Sequence, residues 1–386
     1  MSIHYLKDNC GKVPFLTIIV AVSLLLAACS KDDPETKPDP GIVDPPTPEV
    51  PATEVPGRAV VAYVTYYGSD IPNTTYLTHI CYAFAELYVT GGVYKGFKIQ
   101  GSEQRFQSIV DLKKNKPGLK ILLSFTHIVS NSDNSQGGGF SALAKNSEYR
   151  EKFAEDCLSF IKKWGIDGID LDWEFPGISW SGHASDPAVD VQNHILLMKE
   201  LRETLGSSYT LTYAGYVKDK QTTSTGSKYI DISAVDKYID FVNIMTYDMD
   251  EAPKAHSALS DSRAYCDCER AVNAYTNAGI SPQKLVLGVP FYGRHAFSGT
   301  SASISYKSII TLGGEYKIDN WDSIASVPYV TKNGTYFCSY DNAKSIGIKA
   351  NWLNSKNMKG MMYWNSGEDD SNRTLAKAVW NSTMKK

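Results

Sequence analysis

Cysteine is sparse in this chain and badly spread for a disulfide framework. Of the seven present, Cys10 and Cys29 fall within the first 29 residues. That leaves Cys81, Cys157, Cys266, Cys268 and Cys338, an odd and scattered set. Cys81 sits in an apolar strand-like run and Cys157 in a helix-like one, so both read as core thiols. An excess of one charge is also lacking. The formal net charge is -3, which gives no reason to expect nucleic acid or an anionic membrane surface as a partner. No apolar run is comfortable as a transmembrane helix: Phe15–Ala28 falls short of the roughly 20 residues a span needs. There is no internal repeat and no basic patch, and a single-chain (monomeric) protein is expected. What remains is a globular composition, 42% hydrophobic, with 24 Tyr and 7 Trp. Most of those aromatics fill a core; the surplus is what a sugar-binding cleft would use.

Residues 1–29 read as a targeting segment rather than as structure. Lys7 and Lys12 make a basic start, and the apolar run closes on Leu26-Ala27-Ala28-Cys29. That ending looks like a bacterial lipobox, which makes Cys29 the expected lipidation site; an ordinary signal peptide with a chance cysteine is the alternative. Ser30-Lys31-Asp32-Asp33 resembles the short Lys-acidic signal that sends some Gram-negative lipoproteins to the outer cell surface. The expected location is the cell envelope, lipid-anchored to the outer membrane. Residues 30–57 hold Pro34, Pro38, Pro40, Pro45, Pro46, Pro48, Pro51 and Pro56, nearly half of the 17 prolines. Such a segment stays extended and acts as a spacer.

The stretch that carries chemistry is Gly165–Pro176, with Asp167, Asp170, Asp172 and Glu174 among apolar residues. A strand places alternate residues on one face. Asp170, Asp172 and Glu174 therefore point one way, and Ile169, Leu171 and Trp173 the other. The apolar set implies a strand buried on both faces. Stacked, buried carboxylates disfavour one another's ionisation, so at least one should hold a proton at neutral pH, as a general acid must. Clustered carboxylates can also hold a hard cation, but such cages usually draw on a polar loop with a Gly turn.

From Arg58 onward strand signals alternate with helix-length segments. Strands are predicted at Val60–Thr65, Thr78–Phe84, Lys120–Phe125, Gly168–Glu174, Thr210–Gly215, Phe241–Tyr247, Leu285–Pro290 and Gly360–Trp364. Helices are predicted at Gln104–Lys114, Glu148–Trp164, Ala188–Leu205, Ala264–Ala278, Asn342–Ser355 and Ser371–Trp380, with none clearly marked after the fifth strand. Eight such units predict an α/β fold, a (β/α)8 TIM barrel over residues 58–384 with its active site at the C-terminal strand ends. Residues 295–340 lack helix periodicity and read as a small sheet-rich insertion between strands seven and eight.

Asp167-Gly-Ile-Asp170-Leu-Asp172-Trp-Glu174 resembles the Asp-x-x-Asp-x-Asp-x-Glu signature of glycoside hydrolase family 18, the chitinases and their relatives. The resemblance extends over almost all of residues 58–384. Val60-Val-Ala-Tyr63 looks like the family's first strand and Thr78-His-Ile-Cys-Tyr-Ala-Phe84 like its second. Met245-Thr-Tyr247-Asp248 looks like the sixth-strand motif. Lys284–Arg294 is similar to the seventh strand, and Gly360-Met-Met-Tyr-Trp364 to the eighth. One place departs: the third strand of the family usually ends Ser-x-Gly-Gly, and here it reads Ser124-Phe-Thr-His127. Larger side chains there would narrow or re-aim the sugar site, and Gly137-Gly-Gly139 follows in a longer loop.

The resemblance implies a glycosidase with no metal and no organic cofactor, acting on an N-acetylglucosamine-containing polysaccharide or glycan by substrate-assisted, retaining catalysis. It implies Glu174 as the acid, and Asp172 as partner of the substrate's acetamido N–H. Tyr247 would donate to the acetamido oxygen, and Asp170 would be held by Tyr63 and Ser124 and share a proton with Asp172. Trp364 would lie beneath the sugar, with Met245, Asp248, Tyr292 and Arg294 lining the pocket. Asp167 is given a structural role. An endo-β-N-acetylglucosaminidase acting on N-glycans or peptidoglycan would use the same core. A lectin that binds chito-oligosaccharides without cutting is the alternative of another class; such relatives typically lose the acid. Trp173 and the insertion lean toward chitin-type substrates.

Overall fold

The segment Ala59–Thr65 is buried along its whole length, because a parallel barrel strand has side chains inside and helices outside. Ala59, Val61 and Tyr63 join the barrel interior, whereas Val60, Ala62 and Val64 pack outward against the helices. This computed structural model describes residues 50–127, 139–178, 185–217, 230–299 and 302–385. The leader, Cys29, the tether up to residue 49, and Gly137 and Gly138 lie outside the described residues.

The strands in chain order begin with β1 (Ala59–Thr65), β2 (His79–Thr90), β3 (Val93–Ile99), β4 (Lys120–Thr126), β5 (Gly168–Asp172), β6 (Thr210–Gly215) and β7 (Phe241–Ile244). They continue with β8 (Leu285–Pro290), β9 (Tyr292–Arg294), β10 (Ser303–Ser305), β11 (Tyr316–Asp322), β12 (Val327–Lys332), β13 (Thr335–Ser339) and β14 (Gly360–Trp364). Parallel pairing runs β1-β14-β8-β7-β6-β5-β4-β2 and closes through β1 with β2, giving an eight-stranded barrel. All eight predicted barrel strands are present. The hairpin partner β3, antiparallel to β2, is an addition the sequence did not show. Its turn is Gly91-Gly92, both at positive φ, as a tight hairpin requires.

The helices are α1 (Glu103–Val110), α2 (Phe140–Lys145), α3 (Ser147–Trp164), α4 (Asp190–Leu205), α5 (Ile232–Val235), α6 (Cys268–Asn277), α7 (Tyr306–Ile309), α8 (Ala343–Ser355) and α9 (Thr374–Thr383). After the fifth barrel strand, β6, the described residues hold the one-turn α5 and a 3-10 turn at Asp236–Tyr238, which matches the weak signal there. The predicted start of α6 at Ala264 is too early. Asp267 caps that helix by accepting from Arg270 N at 2.8 Å, and a side-chain cap ends the preceding turn.

The insertion forms an antiparallel sheet in the order β10-β9-β13-β12-β11. It begins at Tyr292, three residues before the predicted boundary, so Tyr292 and Arg294 stand on its first strand. The spacer prediction over residues 30–57 also needs correction at its end. Ala52 N donates to Asn381 Oδ1 at 3.0 Å and Trp380 Nε1 donates to Ala52 O at 2.7 Å. Residues from Ala52 are thus pinned to α9 and belong with the barrel.

Candidate active site

Register across the barrel brings four strands to one carboxylate. Asp170 pairs laterally with Ser124 on β4 and Thr212 on β6, and it is wholly buried. Its Oδ2 accepts from Tyr63 Oη at 2.9 Å and Ser124 Oγ at 2.7 Å. Its Oδ1 accepts from Thr212 Oγ1 at 2.6 Å and, at 3.4 Å, from Asn243 Nδ2. Burial pushes the Asp170 carboxyl up, and these donors pull against it. Tyr63 and Ser124 are where the sequence reading put them. Thr212 and Asn243 were missed, because a lone Thr or Asn in an apolar strand reads as an ordinary core polar group.

Asp172 lies one step nearer the barrel mouth, at the end of β5, and Glu174 follows just outside the strand. The predicted strand through Glu174 is two residues too long; the Glu174–Phe175 peptide is cis. Burial lifts Asp172 well above the carboxylate range, reinforced by the charges of Glu174 and Asp170. Glu174 is pushed up to about 7, by burial and then by the charge of Asp248. The Asp172 and Glu174 carboxyls share a hydrogen bond. Four donors already fill the acceptor sites of Asp170, whereas Asp172 Oδ1 is buried with no hydrogen-bond partner among the described residues.

On the outward face of this strand Trp173 stacks on Phe140 at 5.3 Å, which fixes the alternation. Asp167 accepts from Lys113 Nζ at 2.6 Å and Ile121 N at 2.9 Å, a structural clamp at the strand's start. His127, at the departure from the third-strand pattern, donates its N–H to Asp172 O at 3.1 Å. Its Nδ1 lies 4.0 Å from Glu174 Oε1. A side chain therefore stands beside the acid at that position.

Tyr247 follows β7 and is almost buried. Burial and the carboxylates Asp172, Asp248 and Glu174 push its phenol well up, so it stays a hydroxyl donor. Gly288 makes room for it: a Cβ there would lie 2.9 Å from Tyr247 Cε1 and 2.4 Å from Ile244 O. Asp248 has φ 54, the left-handed region that costs an L-residue energy unless its surroundings hold it there. They do: Oδ1 accepts from Tyr292 Oη at 2.7 Å and Arg294 Nε at 2.8 Å, and His256 Nδ1 is 3.2 Å away. Arg294 Nη2 closes the fork on Oδ2. Burial would raise Asp248, but the His256 hydrogen bond and the Arg294 guanidinium outweigh it and hold the carboxyl well below the usual range. His256 was not foreseen; nothing near it in sequence marks it.

Trp364 ends β14, with Phe84 stacked against it at 5.6 Å and Tyr63 also at 5.6 Å. Met245 packs at the edge of the same interior cluster. The structure thus brings together all the sequence-expected residues of the barrel: Tyr63, Ser124, Asp170, Asp172, Glu174, Met245, Tyr247, Asp248, Tyr292, Arg294 and Trp364.

The profile described as Glycosyl hydrolases family 18 matches residues 59–369. The chain belongs to this family. It is 30% identical over 310 residues to Chitinase A1 of Niallia circulans, a match covering 68% of this chain and 42% of that protein. It is 25% identical to Chitinase 1 of Aphanocladium album over 362 residues, covering 80% of this chain and 81% of the relative. Among solved structures, a family 18 N-acetylglucosaminidase from Paenibacillus barengoltzii shares 27% identity with a TM-score of 0.70, covering 84% of this chain and 99% of that one. Chitinase ChiW of a Paenibacillus species also gives 27% and 0.70, over 85% of this chain and 43% of the larger protein. The family 18 profile spans the barrel strands and the sheet insertion described above.

Proposed function

We propose that this family 18 glycoside hydrolase cleaves β-1,4 bonds next to N-acetylglucosamine, in chitin or chito-oligosaccharides, by substrate-assisted retaining catalysis. The observation that carries the reading is the hydrogen-bonded Asp172–Glu174 carboxyl pair, Asp172 buried with an unpartnered Oδ1 and Glu174 partly exposed beside it, with the Tyr247 hydroxyl near both. Glu174 keeps a proton near neutral pH and delivers it to the glycosidic oxygen. The substrate's own acetamido oxygen attacks the anomeric carbon, the glycosidic C–O bond breaks, and an oxazolinium ion forms. Asp172 turns to the acetamido N–H, which fills the acceptor site that Oδ1 offers. Tyr247 donates to the acetamido oxygen. Asp170, held by its donors, supplies fixed negative charge behind the developing cation. Water then opens the ring with Glu174 as base, and configuration is retained.

Asp248, Tyr292 and Arg294 form a rigid polar edge that lines the subsites, and the sugar rests on Trp364. We further propose, from the sequence of residues 1–49, that Cys29 carries the lipid anchor in the outer membrane and that the catalytic chain works there as a monomer. The endo-β-N-acetylglucosaminidase reading shares this core chemistry and is separated by products alone.

The test uses the chain from Val50 onward, which keeps the Ala52 contacts, beside its Glu174→Gln variant. Both are incubated with chitin oligosaccharides and with a high-mannose glycoprotein, and products are read by mass spectrometry. Short N-acetylglucosamine fragments from the unsubstituted protein alone are expected. Released glycan with intact oligosaccharides would replace the chitinase reading by the endoglycosidase one. Binding without any product would replace it by a lectin.

A further inference from the structure

One carboxyl at the mouth of the barrel has no part in the mechanism above. Glu368 ends the short turn Ser366–Glu368 that follows β14, four residues past Trp364. The turn is held firmly: Asn365 Oδ1 accepts from Gly367 N at 3.0 Å, Glu368 N donates to Asn365 O at 3.1 Å, and Lys307 Nζ donates to Gly367 O at 2.6 Å. Glu368 Oε2 is buried and has no hydrogen-bond partner among the described residues. A buried acceptor left empty is costly. The charged and titratable groups around it come from four elements: Lys307 on α7, Arg294 on β9, Asp248 after β7, and Tyr67 after β1. Both nearby cations have other partners, since Arg294 is engaged with Asp248 and Lys307 with a backbone carbonyl. Tyr67 beside it is 67% exposed, and the charge of Glu368 is felt by Arg294 and Asp248 at the polar edge of the site.

We propose that Glu368 is a specificity-determining residue that receives the free amino group of a glucosamine unit in the bound chain, so that partly deacetylated chito-oligosaccharides are preferred ligands. The proposal rests on the function argued above. An ammonium group would fill the empty Oε2 acceptor with a charged donor, where Lys307 and Arg294 are committed to other acceptors. Burial, with the charge of Asp248, pushes Glu368 up to about 7 against the pull of Lys307, Arg294 and an Asn365 side-chain hydrogen bond, and an arriving cation reverses that penalty. An acetamido N–H or a hydroxyl can also donate there, but a charge-assisted hydrogen bond is roughly twice as strong.

The test measures binding, so that turnover does not blur it. The Glu174→Gln protein is titrated calorimetrically with a fully acetylated N-acetylglucosamine tetramer and with a tetramer whose alternate units are deacetylated. Affinity for the deacetylated tetramer is expected to be about five-fold higher. In Glu174→Gln/Glu368→Gln, which keeps the shape and removes the charge, the two ligands should bind alike. Glu174→Gln/Glu368→Ala gives a second, independent loss of the carboxyl. A preference that survives both substitutions, or that is absent from the start, overturns the role of Glu368. Failure of both tetramers to bind the Glu174→Gln protein overturns the chito-oligosaccharide reading itself, and the Glu368 proposal with it.

Discussion

Asp172 and Glu174 meet through a hydrogen bond between their two carboxyl groups, one held on the last residue of a strand and the other just past it. Glu174, raised to about 7, is a competent acid only while protonated. The alkaline limb of the pH–activity profile should therefore fall about tenfold per pH unit above roughly pH 7. A pH–rate profile of kcat/KM on a chromogenic chito-oligosaccharide measures this, and a flat profile between pH 6 and 9 would contradict the assignment.

The same shift has a stability consequence. The folded pKa of Glu174 lies above the unfolded value of about 4.3, so the folded state binds the extra proton between the two. The contribution is fully present below pH 4 and is lost as pH rises through about 7. Glu174→Gln removes the group that must ionise. Its melting temperature at pH 8 should exceed that of the unsubstituted protein by about 2–4 °C, while turnover drops by about a hundredfold or more. Calorimetry at pH 5 and pH 8 checks the sign, because the gain should shrink at the lower pH.

Among the described residues Thr212 donates the shortest hydrogen bond to Asp170, at 2.6 Å. Thr212→Val keeps the shape and deletes the donor inside the barrel. Stability should fall by about 1–3 kcal/mol, and the acid limb of the pH profile should move upward as Asp170 becomes easier to protonate. Thr212→Ser should restore both. Urea unfolding with rate profiles decides it; an unchanged acid limb would show that Asp170 is not electrostatically coupled to turnover.

Asp248→Asn leaves the Arg294 guanidinium facing a neutral amide. The pair is partly exposed, with side-chain accessibilities of 33% and 16%, so a loss of about 1–3 kcal/mol is expected rather than the full cost of breaking a buried pair. The folded pKa of Asp248 is depressed, so the stability it gives is present at neutral pH and lost as pH falls through that lowered value. Denaturation of the two proteins at pH 7 and at pH 3 should show the gap narrowing with acid.

Lys349 and Asp341 form an ion pair with no side-chain exposure, at 2.7 Å, and Ser257 and Ser345 also donate to Asp341. Lys349→Met should destabilise the chain by about 3–5 kcal/mol, because the remaining carboxylate is buried without its cation. Chemical denaturation measures the loss. The pH dependence of turnover should not change, since Lys349 touches none of the site residues.

The barrel and the acidic strand were legible in the sequence because each follows from a local period. Ile169, Leu171 and Trp173 alternate with Asp170 and Asp172, and a period of two allows only one assignment of faces. The β3 hairpin was missed because Val93–Ile99 carries Lys95 and Lys98 and is only partly buried, so it lacks the apolar continuity of the barrel strands. The start of α6 was misplaced because a capping aspartate, Asp267, stands inside a run that otherwise reads as helix.

By itself the sequence determined the order of strands and helices, the face on which the carboxylates stand, and which residue among them is outermost. These depend on neighbours within a few positions. Only the tertiary structure decided which donors reach Asp170. Thr212 and Asn243 are 42 and 73 residues away, and barrel register alone brings them into contact. The same closure leaves Asp172 Oδ1 and Glu368 Oε2 buried with no hydrogen-bond partner among the described residues. Such facts depend on the count of hydrogen-bond partners around a buried group, and that count exists only once distant strands have met.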